Sequence, residues 1–427
     1  MLNQILIDMP IKLRLLILNF LEFFIWGSWL ITIGAYWFQN KHWSGAEFGA
    51  IFSTMGISSL FMPAIAGIIA DRWINAEKLL GIFHIIGAVI LVYIPQINNP
   101  STFFWVILLN MIFYMPTIAL TITVGYTSLK AQNLDVVKVY PPIRVWGTIG
   151  FIVAMWVVSI LKFETNALQF YVAASAALLL GIYAFTLPKC PPQLTNTNNK
   201  SFISLLGLNA FSLFKNSKMA IFFIFSMLLG AALQLTNAYG DTFLHDFGKI
   251  DAYKNLIAVK YPAIVMSISQ ISETLFILTI PFFLKKFGIK KVMLFSMIAW
   301  VLRFGLFAYS NPGTGLWMII LSCIIYGMAF DFFNISGSLF VETQSDSKIR
   351  ASAQGLFMMM TNGFGAFFGS YFSGLIIDKF FLLSNGEKDW TGIWTTFSIY
   401  ALVVALLFAI LFKHKHNPQD FDLAHNL

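Results

Sequence analysis

Apolar stretches of about 20 residues, separated by short polar turns, recur along the whole chain. Such a stretch is long enough to cross a bilayer as a helix, and a helix satisfies its own backbone polar groups there. The pattern predicts an all-α polytopic membrane protein with twelve transmembrane helices in two six-helix bundles. The predicted spans are residues 11–38, 46–70, 78–95, 102–128, 141–162, 166–187, 218–243, 259–284, 291–309, 314–341, 350–377 and 391–412.

The longest polar segment, LPKCPPQLTNTNNKS, lies between the sixth and seventh spans, and its Pro, Asn and Thr content is typical of a linker. The following SFISLLGLNAFSLFKN has apolar residues at helical spacing, which favours a helix along the membrane surface. We therefore expect an N-terminal six-helix bundle over residues 1–188 and a C-terminal six-helix bundle over residues 218–427. A cytoplasmic linker that can include the amphipathic helix occupies residues 189–217.

Composition agrees with the span pattern, since 58% of the 427 residues are hydrophobic and 11% are charged, against roughly 25% charged in soluble proteins. A net charge of +8 could suit a nucleic acid, but the basic residues are distributed by side of the membrane. Eighteen fall on the side of the termini and seven on the opposite side. By the positive-inside rule both termini are cytoplasmic, and no nucleic-acid partner is expected.

The sequence lacks the motifs of metal-binding, nucleotide-hydrolysing and hydrolytic proteins. Cys190 and Cys323 have no disulfide or metal-binding spacing, and no P-loop, zinc or catalytic-triad motif occurs. We therefore expect no cofactor, no metal site and no enzymatic activity. The first apolar segment exceeds a signal-peptide core and has no small-residue cleavage site after it, so we interpret it as a retained span.

A polar stripe interrupts the eighth span. At about 100° per residue, Ser267, Gln270, Glu273 and Thr274 fall within a sector of roughly 120° of one helix. A carboxylate at that depth costs on the order of 2.5–3.5 kcal/mol, so it must face protein, water or a ligand. The stripe is either a satisfied structural group or the lining of a substrate pathway, and we favour the pathway.

The fifth span carries a second polar face. Pro141 and Pro142 suit a helix start, and Arg144, Thr148 and Phe151 then follow at spacings of i, i+4 and i+7. Arg144 could be an interfacial arginine that snorkels to the cytoplasm. The alternative is a planar guanidinium that donates hydrogen bonds into a central cavity.

Two further spans have groups suited to a flat, heteroatom-rich ligand. Gln234 and Asn237, spaced i and i+3 in the seventh span, can both donate and accept hydrogen bonds, either to an amide-bearing ligand or between helices. Tyr326, Phe330 and Asn334 share a face of the tenth span. Aromatic rings beside hydrogen-bonding groups suit ligand stacking, although such spacing is also common in packing.

Charged residues inside spans are candidates for proton transfer. Glu273 and Asp331 are the proton-coupling candidates of the second half, and Asp331 points about 100° away from Phe330, so it could act only through a neighbour or pair with a basic group. Glu22 and His84 lie in the first and third spans. We interpret His84 as a satisfied packing residue and leave Glu22 unassigned.

The loop after the second span, GIIADRW, resembles the corresponding loop of the major facilitator superfamily, with Trp73 and Ile74 in place of the usual basic continuation. Longer runs resemble the bacterial nucleoside:proton symporters over nearly the whole chain. These are FIWGSWL, FMPAIAGIIADRW, PPIRVWGTIGFIVAMWVVS, MAIFFIFSMLLGA, MSISQISETLFILTIPFFL and YGMAFDFFNISGSLFVE. Glu22 departs from the family pattern, which has an uncharged polar residue there.

The resemblance implies a major facilitator fold in the bacterial inner membrane and proton-driven import of purine and pyrimidine nucleosides such as uridine or adenosine by alternating access. It implies substrate contacts by Arg144, Thr148, Phe151, Gln234, Asn237, Gln270, Glu273, Tyr326 and Phe330, and it matches Asp331 to an acid of the family. We expect a monomer whose partners are nucleoside, protons and the lipid bilayer. The alternatives are a xanthosine-type permease, a major facilitator transporter of sugars or drugs, and a non-transporting membrane receptor.

Overall fold

The computed structural model describes residues 9–192, 208–345 and 349–415, and helices dominate them, as the sequence predicts. The main helices of these described residues group into twelve segments, two of which consist of more than one helix. They are α1 (Ile11–Gly27), α2 (Gly45–Arg72), α3 (Ala76–Tyr93), α4 (Pro100–Ala131), α5 (Val136–Ile160), α6 (Leu168–Ala184), α7 (Ser217–Asp246), α8 (Pro262–Met266 and Ile268–Ile277), α9 (Ile280–Tyr309), α10 (Leu316–Gln344), α11 (Arg350–Met358, the π-helix Met359–Gly365 and Ala366–Phe380) and α12 (Trp390–Leu411).

Eight helices of the described residues are long and apolar enough to cross a membrane. The others are shorter or interrupted: α1 and α6 have 17 residues each, α8 is broken at Ser267, and α11 contains the π-helix. After α1 the first span continues through the short helix Ile33–Ala35 and the π-helix Tyr36–Asn40. The spans predicted from hydropathy therefore include several irregular helices.

The predicted start of the fifth span at Pro141 is wrong. Helix α5 begins at Val136, and both Pro141 and Pro142 lie inside it. The Asp135 side chain accepts a hydrogen bond from the backbone N–H of Lys138 at 3.4 Å, and an aspartate at this position supplies the cap that favours the earlier start.

Gly288 separates the eighth and ninth spans within the helical run Ile280–Tyr309. Its φ of 77° and ψ of 166° are not helical, and glycine adopts this conformation without the steric penalty of a Cβ atom. Residues 280–287 therefore continue the eighth span, and the ninth begins after the turn.

The linker is described only at its two ends. Residues 193–207, which include the first part of the predicted amphipathic helix, lie outside the described residues, and Leu208–Lys215 forms a 3-10 helix. At the near end, the buried Glu77 carboxylate accepts a hydrogen bond from the backbone N–H of Cys190 at 2.8 Å. Burial, together with the charge of Glu77, raises the pKa of the Cys190 thiol to about 11.

The chain divides into two compact units, Met1–Trp43 with Ile57–Leu206 and Ser44–Gly56 with Gly207–Leu427. In the first unit, α1 packs against α5, and α3 packs against α4 and α6. In the second unit, α7 packs against α11, and α9 packs against α10 and α12. Each helix of the second set stands six places after its counterpart in the first, so the internal packing of the two units follows the same plan.

Glycines bring the equivalent helix pairs close together. A Cβ atom on Gly150 of α5 would lie 2.1 Å from the carbonyl oxygen of Phe20 on α1. In the second unit, a Cβ on Gly230 of α7 would lie 2.0 Å from the carbonyl oxygen of Thr361 on α11. Small residues at such crossings let helix backbones approach in a membrane, where apolar lipid provides little driving force for association.

Candidate functional site

The predicted polar face of α5 lies against aromatic residues of α1 in the first unit. The Arg144 guanidinium is half-buried, with its Cζ atom 4.0 Å from the centre of the Phe23 ring. Phe151 is buried, and its ring meets Trp26 edge to face at a centroid distance of 6.3 Å. Thr148, which lies between Arg144 and Phe151 in sequence, is half-buried. Stacking on an aromatic face holds a guanidinium by its plane and leaves its edge to donate hydrogen bonds.

Trp26 is a candidate site residue that the sequence reasoning missed. Its indole Nε1 is buried and has no hydrogen-bond partner among the described residues, and its ring also packs 5.7 Å from the Tyr114 ring. Buried indole N–H groups normally find an acceptor. The only sequence signal was its place within FIWGSWL, because a tryptophan in an apolar helix is also a common packing residue.

Two carboxamide oxygens on α7 and α8 of the second unit receive no hydrogen bond from a donor among the described residues. Oε1 of Gln234 and Oε1 of Gln270 are both buried without a hydrogen-bond partner in the described part of the chain. Asn237, one turn after Gln234, is half-buried. No hydrogen bond joins Gln234 to Gln270 within the described ranges, so the interhelical bonding that the sequence left open does not occupy these oxygens.

Tyr326 and Phe330 form the aromatic pair of α10 that their spacing predicts. Their rings are stacked at 5.9 Å and nearly parallel, with an interplanar angle of 3°. Trp300 of α9 meets Tyr326 edge to face at 5.9 Å. A small pocket opens beside them, and its lining includes Trp300, Phe330, Phe333, Asn334, Thr361 and Asn362. The last two belong to the π-helix of α11, and such irregular turns are frequent at functional sites.

The Arg303 side chain of α9 packs against the ring of Tyr326. It is only 1% exposed, and its Cζ atom lies 4.6 Å from the centre of the Tyr326 ring. Its Nη1 atom donates hydrogen bonds to the Ser322 carbonyl oxygen at 2.7 Å and to Ser269 Oγ at 3.4 Å. The guanidinium thus connects α8, α9 and α10. The sequence shows an arginine inside a span, but only the packing shows that it positions Tyr326.

The two proton-coupling candidates are brought together on α8 and α10. A Cβ atom on Gly327 would lie 2.6 Å from the Ser272 carbonyl oxygen and 2.8 Å from the Glu273 backbone nitrogen, so the two helices nearly touch there. Asp331, one turn later, is 4% exposed and interacts electrostatically with Glu273. Its Oδ2 atom has no hydrogen-bond partner among the described residues. The neighbour through which Asp331 can act is therefore Glu273.

Glu22 and His84 form a buried polar cluster in the first unit. His84 Nε2 lies 2.8 Å from Glu22 Oε2, and their exposed fractions are 2% and 0%. Thr117 donates a hydrogen bond to Glu22 Oε1 at 2.6 Å, and Thr121 donates to Oε2 at 3.3 Å. The Tyr114 hydroxyl donates to the Glu22 carbonyl oxygen at 2.8 Å. The interpretation of His84 as a satisfied residue agrees with this contact, and Glu22 is its partner.

The chain is similar to known transporters over almost its full length. Residues 9–417 match the family described as nucleoside H+ symporter. The xanthosine permease of Escherichia coli (strain K12) is 53% identical over 412 residues, 96% of this chain and 98% of that protein. The nucleoside permease NupG of the same strain is 51% identical over 409 residues, 96% of this chain and 97% of that protein. A crystal structure of the nucleoside transporter NupG, also 51% identical, superimposes with a TM-score of 0.89 over 95% of this chain and all of that chain.

Proposed function

Because the chain belongs to the nucleoside H+ symporter family, we propose that it imports nucleosides together with protons by alternating access. The main support for this proposal is the match to the family over residues 9–417. The 51% identity to a nucleoside permease over nearly the whole chain agrees with it. The major facilitator fold with twelve helices gives the architecture of a transporter. The protein acts as a carrier in the inner membrane and catalyses no covalent chemistry.

In the first unit, we assign substrate contacts to Arg144, Thr148 and Phe151. The guanidinium stacks on Phe23, which favours an orientation in which its N–H groups point away from that ring toward a base or ribose oxygen. Phe151 offers an aromatic edge beside Trp26. These features suit a ligand with a flat ring and several hydrogen-bond acceptors.

In the second unit, we assign substrate contacts to residues of three helices. The carboxamide oxygens of Gln234 and Gln270 lack partners in the described part of the chain, so they can accept hydrogen bonds from hydroxyl or amino groups of a nucleoside. Asn237 and Glu273 extend these polar faces by one turn each. Tyr326, stacked on Phe330, offers a flat aromatic surface for the ligand rings.

Glu273 is the proposed ligand-linked acid, with Asp331 as the alternative proton carrier. The two carboxyl groups interact electrostatically on adjacent helices, and two acids held close together favour the retention of a shared proton. Glu273 also lies on the helix of Gln270, which links its protonation to substrate binding. A carrier needs this connection so that the proton gradient drives nucleoside uptake.

The remaining parts of the proposal concern arrangement in the cell. The excess of basic residues on one side of the predicted spans, 18 against 7, supports the proposal that both termini are cytoplasmic. We further propose N- and C-terminal bundles over residues 1–188 and 218–427, a cytoplasmic linker over residues 189–217, and a monomer that needs only nucleoside, protons and the lipid bilayer.

Uptake of labelled nucleoside into proteoliposomes tests the proposed function. We expect accumulation of uridine that depends on an inward proton gradient and is competed by adenosine but not by a sugar. Xanthosine belongs in the competition panel because a xanthosine permease is 53% identical to this chain. Equal uptake with and without the gradient, or competition by sugars alone, would contradict the proposal.

A further inference from the structure

The Glu22 carboxylate is surrounded by polar groups from two neighbouring helices. Its two oxygens accept hydrogen bonds from Thr117 and Thr121 and lie beside the His84 ring, and the residue is fully buried. Hydrogen bonds from several donors favour the charged form of a carboxylate, whereas burial in an apolar span penalises any net charge. A proton shared with His84 removes this penalty, because the pair then carries no net charge.

The pair therefore has two states that differ by one proton. With Glu22 ionised and His84 neutral, the pair carries one negative charge, and one added proton makes it neutral overall. The exchange makes or breaks a single N–H or O–H bond, and water supplies or receives the proton. Carboxylates and histidines inside membrane spans are the groups that form proton relays in transporters, so such a site can respond to the gradient that a symporter uses.

Titratable groups near the pair come from α4, α5 and α6, the helices that pack against α1. Tyr114 of α4 donates to the Glu22 carbonyl oxygen. Arg144 and Tyr140 of α5 interact electrostatically with this region, since Arg144 acts on both tyrosines and Glu22 acts on Tyr140. From α6, Tyr183 donates to the Arg14 carbonyl oxygen, two turns away. Among the described residues, Arg144 brings a positive charge to this region.

The cluster also adjoins the substrate-facing residues proposed for the first unit. Trp26 lies one helical turn after Glu22, and its ring contacts both Tyr114 and Phe151. Phe23, the neighbour of Glu22 in sequence, carries the stacked Arg144 guanidinium. A change in charge at Glu22 therefore acts on Arg144 and on the backbone that holds Trp26, without any intervening loop.

We propose that Glu22 and His84 form a second proton-binding site, separate from Glu273 and Asp331, whose occupancy changes once in each transport cycle. The inference rests on the proposed function as a nucleoside:proton symporter. It assigns a role to a buried acid that the proposed pathway through Glu273 and Asp331 does not use. The site predicts that this chain moves one more proton per nucleoside than the same chain without the carboxylate.

The transport test compares proton and uridine fluxes in proteoliposomes. The proton-to-nucleoside ratio is read from the proton gradient at which net uridine flux reverses, for the wild type, Glu22→Gln and His84→Gln. Glutamine is similar in size to glutamate and can still hydrogen-bond through its amide, but at either position it cannot exchange the proton. We expect the ratio to fall by one proton in both variants and the dependence of uptake on pH to become shallower.

Glu77→Gln is the matched control. Glu77 is also a buried carboxylate of the first unit, 2% exposed, on the same helix as His84, and it contacts the backbone of Cys190. We expect this variant to keep the wild-type ratio. If Glu22→Gln and His84→Gln also keep that ratio and the wild-type pH profile, the pair is structural and the inference is wrong.

A measurement on purified protein tests the site without transport. With ¹⁵N-labelled histidine, the ring signal of His84 is identified by its loss in His84→Gln. We expect this signal to change ionisation state with pH, and the proton concentration at its midpoint to differ at least about tenfold in Glu22→Gln. A His84 signal that never changes, or changes identically in Glu22→Gln, would overturn the inference. A coupled titration without any proton-driven uridine flux would instead retain the site and reject the symporter function.

Discussion

Replacement of Gly150 by alanine tests whether the close approach of α1 and α5 sets the substrate-facing geometry of the first unit. The added Cβ atom would lie 2.1 Å from the Phe20 carbonyl oxygen, and real Cβ atoms essentially never approach below 3.0 Å. The two backbones must therefore separate locally by roughly 1 Å, because a packed interior has no free space for the methyl group. A backbone oxygen cannot rotate away as a flexible side chain could.

The expected cost follows from two opposing terms. Overpacking of this kind costs about 1–3 kcal/mol, while alanine gains up to about 1 kcal/mol over glycine in a helix. We expect a net loss of stability of up to about 2 kcal/mol. Because Phe151 follows Gly150 directly, we also expect uridine affinity to fall roughly fivefold or more, the effect of losing about one hydrogen bond.

Thermal unfolding and calorimetric uridine binding on purified protein measure both effects. Gly67→Ala is the control, because a Cβ on Gly67 of α2 meets nothing within 4 Å, and this variant should gain up to about 1 kcal/mol. If Gly150→Ala unfolds at the same temperature and binds uridine as tightly as Gly67→Ala, the close packing of α1 on α5 does not support the site.

Three further predictions concern the proposed contacts. Gln234→Ala and Asn237→Ala should each weaken uridine binding by roughly 5- to 150-fold in calorimetry, because a lost hydrogen bond to a buried ligand group costs about 1–3 kcal/mol. Arg144→Lys should impair uptake nearly as much as Arg144→Ala, because lysine keeps the charge but loses the planar group that stacks on the ring of α1. Glu273→Gln and Asp331→Asn should lose accumulation driven by a proton gradient yet retain counterflow, because an amide mimics the protonated acid.

Each of these predictions has an outcome that contradicts it. Unchanged affinity in both carboxamide variants would assign those residues to helix packing. Near-normal uptake by Arg144→Lys would make the residue a simple interfacial charge. If Glu273→Gln and Asp331→Asn both still accumulate uridine against its gradient, neither acid is the essential carrier in the second unit.

Hydrophobic patterning by itself determined most of the architecture. The transfer of each residue from water to hydrocarbon depends on that residue and its close sequence neighbours, so runs of apolar residues located the spans without knowledge of their partners. Helical periodicity likewise predicted that Tyr326 and Phe330 share a face, and their rings are stacked. The sequence analysis predicted the start of α5 at the two prolines, but the helix begins earlier, at Val136, where the side chain of Asp135 caps it.

The partners of the buried charges were decided only by tertiary structure. Glu22 and His84 are 62 residues apart in sequence, and Arg303 and Tyr326 lie on different helices. Which groups meet depends on the rotation and separation of packed helices, and these depend on contacts such as Gly327 against Ser272. Periodicity fixes the face on which a side chain lies, but not the helix that faces it. The sequence therefore determined which residues are polar inside the membrane, and the packing of the helices determined that Glu22 has His84 as its partner.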